Sequence, residues 1–325
     1  MNRHCDSSSE LRLSRRTCLK TLAFSLAAAP AWAGATEPWQ ATARARLKMA
    51  VDARIYSHLP VEEAAARIKA DGFSGILTDY TFGDVRFAPF APDWQAVGRI
   101  RSALEKNGIE VAAYFGYYNV VDPDPAKRER GRARMEFLIS NRKRLGAAVI
   151  STETGTYNRQ SEWLDAPENA TEEAYLECRG ELEKLARLAE KANAVLTIEP
   201  YWRNIIDSIE RTERLFKEVN SPGLKLVMDP CNYFRKEDLP EMQPMLKEIF
   251  ARLGKEIVVA HAKDVKAAEN GTDLPAAGLG ELDYPLYLRL LAEQDREMFL
   301  ILEHLTLADM PRARQFVLEH LGRKG

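Results

Sequence analysis

Four short apolar runs in the second half of the chain each end on a side chain that can bind a metal ion. Residues 194–199 end on Glu199, 224–229 on Asp229, 257–261 on His261 and 298–303 on Glu303. Each run has the length and the aliphatic content of a strand that is buried on both faces. The four end residues lie 30, 32 and 42 positions apart, which fits a strand, a crossover helix and the return to the next parallel strand. We therefore expect four successive parallel strands, each carrying one of these side chains at its C-terminal end.

Strands and helices alternate along the whole chain from residue 47. The predicted strands are 47–54, 73–79, 109–117, 147–153, 194–199, 224–229, 256–261 and 298–303. The predicted helices are 61–70, 94–107, 125–145, 172–193, 205–219, 239–253, 284–294 and 307–321. Eight of each predict an α/β fold, a (β/α)8 TIM barrel whose active site lies at the C-terminal ends of the strands. A doubly wound open sheet is the alternative, but residues 51–56 after the first strand lack the glycines of its phosphate loop.

The first 33 residues predict a twin-arginine signal peptide. Arg15 and Arg16 precede the apolar run 22–29, and Ala31-Trp32-Ala33 has the small residues of a cleavage site. We expect recognition by the twin-arginine export machinery, a periplasmic location and no stable membrane span, because the apolar run is too short.

The domain organisation after the signal is simple. Residues 34–46 lack apolar periodicity and predict a tether, so that a single barrel domain occupies residues 47–325. Signal removal leaves only Cys178 and Cys231, which do not make a disulfide framework.

The overall charge favours a small-molecule substrate. The 325 residues carry a formal net charge of −2, with charged side chains at 29% of positions. This balance gives no electrostatic attraction to nucleic acid or to an anionic membrane. Nothing in the sequence opposes an oligomer.

The residue types at the four strand ends favour a particular kind of ion. Three carboxylates and one imidazole suit a hard or borderline divalent cation better than a thiolate set would. Mn²⁺ is the first choice, with Mg²⁺, Co²⁺, Fe²⁺ or Zn²⁺ as alternatives. Four protein ligands on an octahedral ion leave positions for adjacent oxygens of a hydroxy-carbonyl compound, such as a sugar.

Several segments resemble the xylose-isomerase-like TIM barrels, the sugar phosphate isomerase/epimerase superfamily. They are residues 197–201 (TIEPY), 229–232 (DPCN), 261–264 (HAKD), 302–303 (LE) and the glycine-rich stretch 278–284 (GLGELDY). The resemblance implies that Glu199, Asp229, His261 and Glu303 are metal ligands. It also implies that Glu199 and Glu303 are the acid/base pair on opposite faces of the substrate.

One position departs from the pattern of that family. Many of its epimerases have a histidine where this chain has Asn232, whose amide forms hydrogen bonds but takes no proton at neutral pH. Lys263, Asn232, Arg203 and Glu153 are the expected substrate contacts, with Lys263 stabilising a developing oxyanion. Asp264 is expected to orient a ligand of the ion. The long connections 154–170 and 264–283 are expected to cover the site.

These expectations lead to one principal function and two alternatives. The principal one is a metal-dependent isomerase or epimerase that abstracts a proton next to a carbonyl of a non-phosphorylated sugar. The first alternative is a periplasmic lyase or hydratase that acts on 3-keto-glycosides with the same ion and glutamates. The second is a non-catalytic sugar-binding barrel that uses aromatic platforms such as Trp163, Tyr117 and Tyr118.

Overall fold

Eight parallel strands close into a barrel in a computed structural model, which describes residues 37–322. We number these strands β1 to β8. They are Leu47–Asp52, Gly75–Thr78, Glu110–Phe115, Val149–Glu153, Val195–Glu199, Leu224–Met228, Ile257–Ala262 and Met298–Leu302. Each strand pairs with the next one along the chain, and β1 also pairs with β8 to complete the ring. The predicted (β/α)8 TIM barrel is therefore confirmed.

The alternation of side chains along the strands places the four strand-end residues above the filled barrel interior. Val227, Val259 and Ile301 belong to a small buried cluster formed by barrel strands. They stand two residues before Asp229, His261 and Glu303, so they share a face with those residues. On β4 and β5 the corresponding residues are polar, and the Ser151 and Thr197 hydroxyls lie 2.7 Å apart. The interior is thus a packed layer directly beneath the C-terminal ends.

Helices surround the barrel, and their ends follow from ordinary capping chemistry. In chain order, α1 to α10 are Pro38–Arg46, Val61–Ala70, Trp94–Lys106, Pro125–Ser140, Arg142–Leu145, Glu172–Ala192, Ile209–Val219, Met242–Leu253, Tyr284–Glu293 and Met310–His320. Helix α7 begins later than predicted because the Ser208 side chain accepts from Arg211 N and caps it. The predicted helix 125–145 is divided at Asn141 into α4 and the one-turn α5.

Residues 38–46 were predicted as part of a tether, but they form helix α1. Its polar side chains bind the C-terminal ends of α9 and α10. Gln40 Nε2 donates to His320 O at 2.9 Å, and Arg46 Nη1 donates to Ala292 O at 2.7 Å. The helix is fixed by these long-range contacts and buries mainly Ala43, so it carries no apolar periodicity in the sequence. The predicted signal peptide and the first tether residues lie outside the described residues.

Two further observations concern the described part of the chain. Cys178 and Cys231 are both buried and unpaired. None of the helices between residues 37 and 322 has the length and apolar character that crossing a membrane requires.

Candidate metal centre and active site

The four predicted strand-end side chains meet at one point. Glu199 ends β5, Asp229 follows β6, His261 lies in β7 and Glu303 follows β8. One ligand atom from each can be chosen so that all lie within 4.8 Å of one another, and all four residues are buried. We call these residues the quartet. Their convergence follows from the barrel, because successive parallel strands bring their C-terminal ends to the same rim.

The His261 ring lies at the centre of the three carboxylates. Its Nδ1 is 3.3 Å from Glu199 Oε1, 3.3 Å from Glu303 Oε2 and 3.4 Å from Asp229 Oδ2. Neither ring nitrogen makes a hydrogen bond to any residue in the described range. A buried imidazole is normally hydrogen-bonded, so a ring held only by these carboxylate contacts is suited to sharing a cation with the three carboxylates.

Lys263 is the cation closest to the quartet among the described residues. Its Nζ lies 2.7 Å from Asp229 Oδ2 and 2.8 Å from Glu303 Oε1, and the side chain is 3% exposed. Three carboxylates and one ammonium leave a formal charge of −2 when the imidazole is neutral. An unbalanced buried charge of this size is strongly unfavourable, and a divalent cation would neutralise it.

The charges inside the quartet shift the pKa values of its members. Burial by itself lowers the pKa of the His261 imidazole, but Glu303 and Glu199 outweigh it and raise that pKa well above its usual value. Burial by itself raises the pKa of Glu303, yet His261 and Lys263 hold it well below its usual range. The field that attracts a proton to His261 would equally attract a divalent cation, with release of that proton.

Glu199 is held at both oxygens. Asn232 Nδ2 donates to Glu199 Oε1 at 2.8 Å, and the Tyr117 hydroxyl donates to Glu199 Oε2. Behind β6 and β7, the single hydroxyl hydrogen of Tyr287 is shared between His261 O at 2.8 Å and Met228 O at 3.1 Å. These contacts fix both the side chains and the strand ends that carry them.

The donor set fits a divalent metal ion. Three carboxylates and one imidazole on a fixed rim match the oxygen-rich ligands of Mn²⁺ or Mg²⁺ and also admit Zn²⁺. The structural evidence for this fit is the His261 ring, whose nitrogens make no hydrogen bond within residues 37–322 and whose Nδ1 faces all three carboxylates. In such a site all four quartet residues would hold the ion.

A cavity of about 390 Å³ opens above the quartet. Of the predicted substrate contacts, Lys263, Asn232 and Glu153 line it. Both carboxyl oxygens of Glu153 are buried without a hydrogen-bond partner in residues 37–322, and the residue is 2% exposed. Burial, together with the negative charges of Glu162 and Glu199, raises the pKa of Glu153 well above its usual value.

Two predicted site residues make other contacts. Arg203 does not line the cavity: its Nη2 donates to Asn270 O at 2.7 Å, and its guanidinium lies over the Trp202 ring. Asp264 orients no quartet residue through a hydrogen bond. It accepts instead from the backbone N–H groups of Val265, Gly278 and Leu282, each at 2.9 Å. Asp264 therefore organises the loop 264–283.

The glycine-rich part of that loop passes close to Asp264. A Cβ on Gly280 would lie 2.4 Å from Val265 O and 2.5 Å from Asp264 Oδ1. Only glycine permits this close approach of two backbone segments. The resemblance at residues 278–284 is thus explained by loop packing rather than by contact with the quartet.

Several cavity residues were missed from the sequence. They include Arg54, Phe115, Tyr201, Asn204, Leu274 and His304. Arg54 follows β1 and is paired with Asp52 through Nε at 2.9 Å, while its guanidinium lies over the Phe115 ring. An arginine at the C-terminal end of a predicted barrel strand was a usable signal. His304 turns the chain after Glu303 with a φ of 54°, which no pattern in the sequence indicates.

The comparisons with known proteins agree on the fold. The xylose isomerase-like TIM barrel family matches residues 63–319. A magnesium complex of a xylose isomerase-like TIM barrel protein from Mycobacterium smegmatis is similar, with 16% identity and a TM-score of 0.63 over 86% of this chain and 97% of that one. A comparison with curated proteins finds no significant match.

Two solved enzymes have the same fold. A probable 3-DHS dehydratase from Bacillus anthracis has 16% identity and a TM-score of 0.64, over 86% of this chain and 100% of that one. The apo form of a 3-keto-D-glucoside 4-epimerase from E. coli has 15% identity and a TM-score of 0.60, over 85% and 97%. At such identities these likenesses concern the fold alone, whereas the family match covers most of the sequence. The chain belongs to the xylose isomerase-like TIM barrel family.

Proposed function

We propose that the protein is a divalent-metal-dependent isomerase or epimerase of a non-phosphorylated sugar or sugar derivative in the periplasm. The observation that carries the proposal is the approach of Glu199 Oε1 and Glu303 Oε2 to His261 Nδ1, each at 3.3 Å. Their strands, β5 and β8, are separated in the barrel by β6 and β7. The two carboxylates therefore reach one point from different sides, as a proton-transfer pair requires.

The chain's own residues would move the proton. A divalent ion held by the quartet supplies Lewis acidity to the carbonyl and hydroxyl oxygens of the sugar. One of Glu199 and Glu303 takes the proton from the carbon next to the carbonyl. The other returns a proton to the opposite face of that carbon or to the adjacent carbon. Lys263, which is 2.8 Å from Glu303 Oε1, places positive charge where an enediolate oxygen develops.

The charges in the cavity support an uncharged sugar over a phosphate ester. The arginine and the lysine that line the cavity are already paired with carboxylates. Arg54 binds Asp52, and Lys263 binds Asp229 and Glu303. A phosphate group usually requires a bidentate arginine or a similar free donor. The periplasmic part of the proposal is based on the sequence of residues 1–33.

A lyase or hydratase on 3-keto-glycosides is the second candidate, and Glu153 favours it. Elimination requires an acid that protonates the departing oxygen, in addition to the base that removes the proton. Glu153 lines the cavity, and burial raises its pKa well above the usual value, which favours the protonated form that such an acid needs. The dehydratase among the structural neighbours has the same fold.

Deuterium incorporation separates these functions. The protein is loaded with Mn²⁺ in D₂O, offered ketohexoses, aldohexoses and 3-keto-glycosides, and the products are followed by mass spectrometry. Deuterium in an intact sugar, abolished by Glu303→Gln but not by the exposed control Glu269→Gln, supports the isomerase or epimerase. Release of the aglycone supports the lyase. Neither event in metal-loaded protein would reject both and favour the sugar-binding barrel.

A further inference from the structure

A second cavity of about 330 Å³ adjoins the first one. The indole of Trp163 lines both cavities and is 49% exposed. A hydrogen bond also links the two cavities. Asn204, which lines the first cavity, donates through Nδ2 to the backbone oxygen of Glu162, which lines the second, at 3.4 Å. Both volumes fall within the range of about 300–1,000 Å³ that small-molecule sites have. The two cavities therefore form adjoining compartments with an aromatic ring between them.

The second cavity has the composition of a sugar site. Every residue that lines it, apart from Trp163, is polar or charged. The side chains of Lys127, Arg159 and Gln160 make no hydrogen bond to another residue in the described range 37–322, so their donors are available. An exposed indole beside free polar groups suits a pyranose ring, which presents an apolar C–H face and a rim of hydroxyls.

The loop that forms this cavity is held in place before any ligand arrives. Asn158 Oδ1 accepts from Gln160 N at 2.8 Å and from Ser161 N at 3.1 Å. Asn169, which is 6% exposed, accepts from Tyr157 N at 2.9 Å and donates to Arg203 O at 3.0 Å. Side chains thus satisfy several backbone groups of this turn. Such preorganisation reduces the conformational entropy that the loop loses when a ligand binds.

Unsatisfied buried polar atoms line the first cavity, and one of the residues that carry them, Asn204, also contacts Glu162 of the second cavity. Glu153 and Asn204 are each 2% exposed and line the first cavity. Both oxygens of Glu153 and Asn204 Oδ1 lack a hydrogen-bond partner among the described residues. Burial, and then the negative charges of Glu162 on the loop and Glu199 in the quartet, raise the pKa of Glu153. Buried atoms left unpaired in this way are unfavourable unless a ligand pairs with them.

We propose that the substrate is a glycoside or disaccharide whose second sugar ring binds in the cavity on the outer side of Trp163. This inference rests on the proposed function, because it assumes that the reacting ring lies at the quartet. The linking oxygen would then lie beside Glu153 and Asn204, and the second ring would contact Arg159 and Gln160.

The test is a binding measurement that does not depend on turnover. Isothermal titration compares D-glucose with cellobiose, maltose and their 3-keto derivatives on the metal-loaded protein. It is repeated on Trp163→Ala and on the double variant Arg159→Ala/Gln160→Ala. Phe90→Ala removes another exposed aromatic side chain (61% exposed) and serves as the matched control.

The expected result is that at least one disaccharide binds about tenfold more tightly than glucose, the effect of one or two net hydrogen bonds and a stacking contact. Trp163→Ala and the double variant should remove this preference, and Phe90→Ala should keep it. A wild-type protein without the preference, or one whose preference survives Trp163→Ala, overturns the proposal.

The same samples show which proposal has failed. Deuterium exchange into a monosaccharide without any disaccharide preference rejects the second subsite and leaves the proposed function standing. A disaccharide preference without exchange or aglycone release supports the second subsite and rejects the proposed function.

Discussion

Asn232 Nδ2 donates a 2.8 Å hydrogen bond to Glu199 Oε1, the oxygen that also lies 3.3 Å from His261 Nδ1. The Tyr117 hydroxyl binds the other oxygen. The resemblance to the family implies a histidine at this position in many epimerases, whereas the amide of Asn232 binds the carboxylate and takes no proton at neutral pH. The geometry of Glu199 therefore depends on two neutral donors from β6 and β3 connections.

Tyr117→Phe tests whether this orientation matters for turnover. The variant removes one hydrogen bond to Glu199 while keeping the ring, so we expect kcat to fall by about 10- to 100-fold, as for other partners of metal ligands. KM and metal content should change less. The adjacent Tyr118→Phe is the control, because the Tyr118 hydroxyl has no partner among the described residues. Equal kcat values for the two variants would contradict the assignment.

Asp264→Ala tests the role of Asp264 as an organiser of the loop. Three backbone N–H groups would lose a charged acceptor, so we expect the free energy of unfolding to fall by about 3 kcal/mol. Urea denaturation measures the change. Asp273 is exposed in the same loop, and its side chain makes no hydrogen bond within residues 37–322, so Asp273→Ala should change stability by less than about 0.5 kcal/mol. A similar small effect at Asp264 would refute the role.

Glu153→Gln should stabilise the protein in a pH-dependent way. The pKa of Glu153 is raised in the folded state, so the folded state binds a proton more tightly than the unfolded chain does. Stability is therefore highest below the unfolded pKa of about 4.3 and is lost as the pH rises through the window above it. The amide does not ionise, so the melting temperature of the variant should exceed that of the wild type at pH 7 and match it near pH 4.

Thermal unfolding across this range, with the exposed Glu269→Gln as control, measures the difference. A constant gap between the two proteins from pH 4 to pH 8 would show that Glu153 is not held neutral. The activity of Glu153→Gln should fall while its stability rises, because residues that serve substrate binding commonly lower the stability of the folded protein.

The fold and the quartet could be predicted because both depend on local patterns. Successive side chains of a strand point to opposite faces of the sheet. Val227 and Asp229, or Val259 and His261, must therefore share a face once the strand is known. The barrel then brings the strand ends together. A resemblance to the family adds the expected roles to the same residues.

The contacts that were missed join residues far apart in sequence. Tyr117 reaches Glu199 across 82 positions, and helix α1 is fixed through Gln40 by a carbonyl 280 positions away. Asp264 is next to Lys263 in sequence, yet its side chain points to a loop that only the folded chain defines. Periodicity carries no information about such pairs, so the structure was needed to find them.

The export prediction concerns residues outside the described range and needs its own experiment. Replacing Arg15 and Arg16 with lysine keeps the charge but removes the paired arginines that the pathway recognises. We expect the variant to stay in the cytoplasm with its first residues intact, and the wild type to reach the periplasm cleaved after Ala33. Cell fractionation and mass spectrometry of the N-terminus measure this. Periplasmic recovery of both proteins would contradict the twin-arginine route.

The most direct test of the account is the metal content of the purified protein. Elemental analysis after dialysis against Mn²⁺ should find about one divalent ion per chain, and the bound ion should raise the melting temperature by mass action. His261→Ala should lose the ion, whereas the exposed control His58→Ala should keep it. Failure of the wild type to bind any divalent ion, or unchanged binding in His261→Ala, would contradict the claim that the quartet is a metal centre.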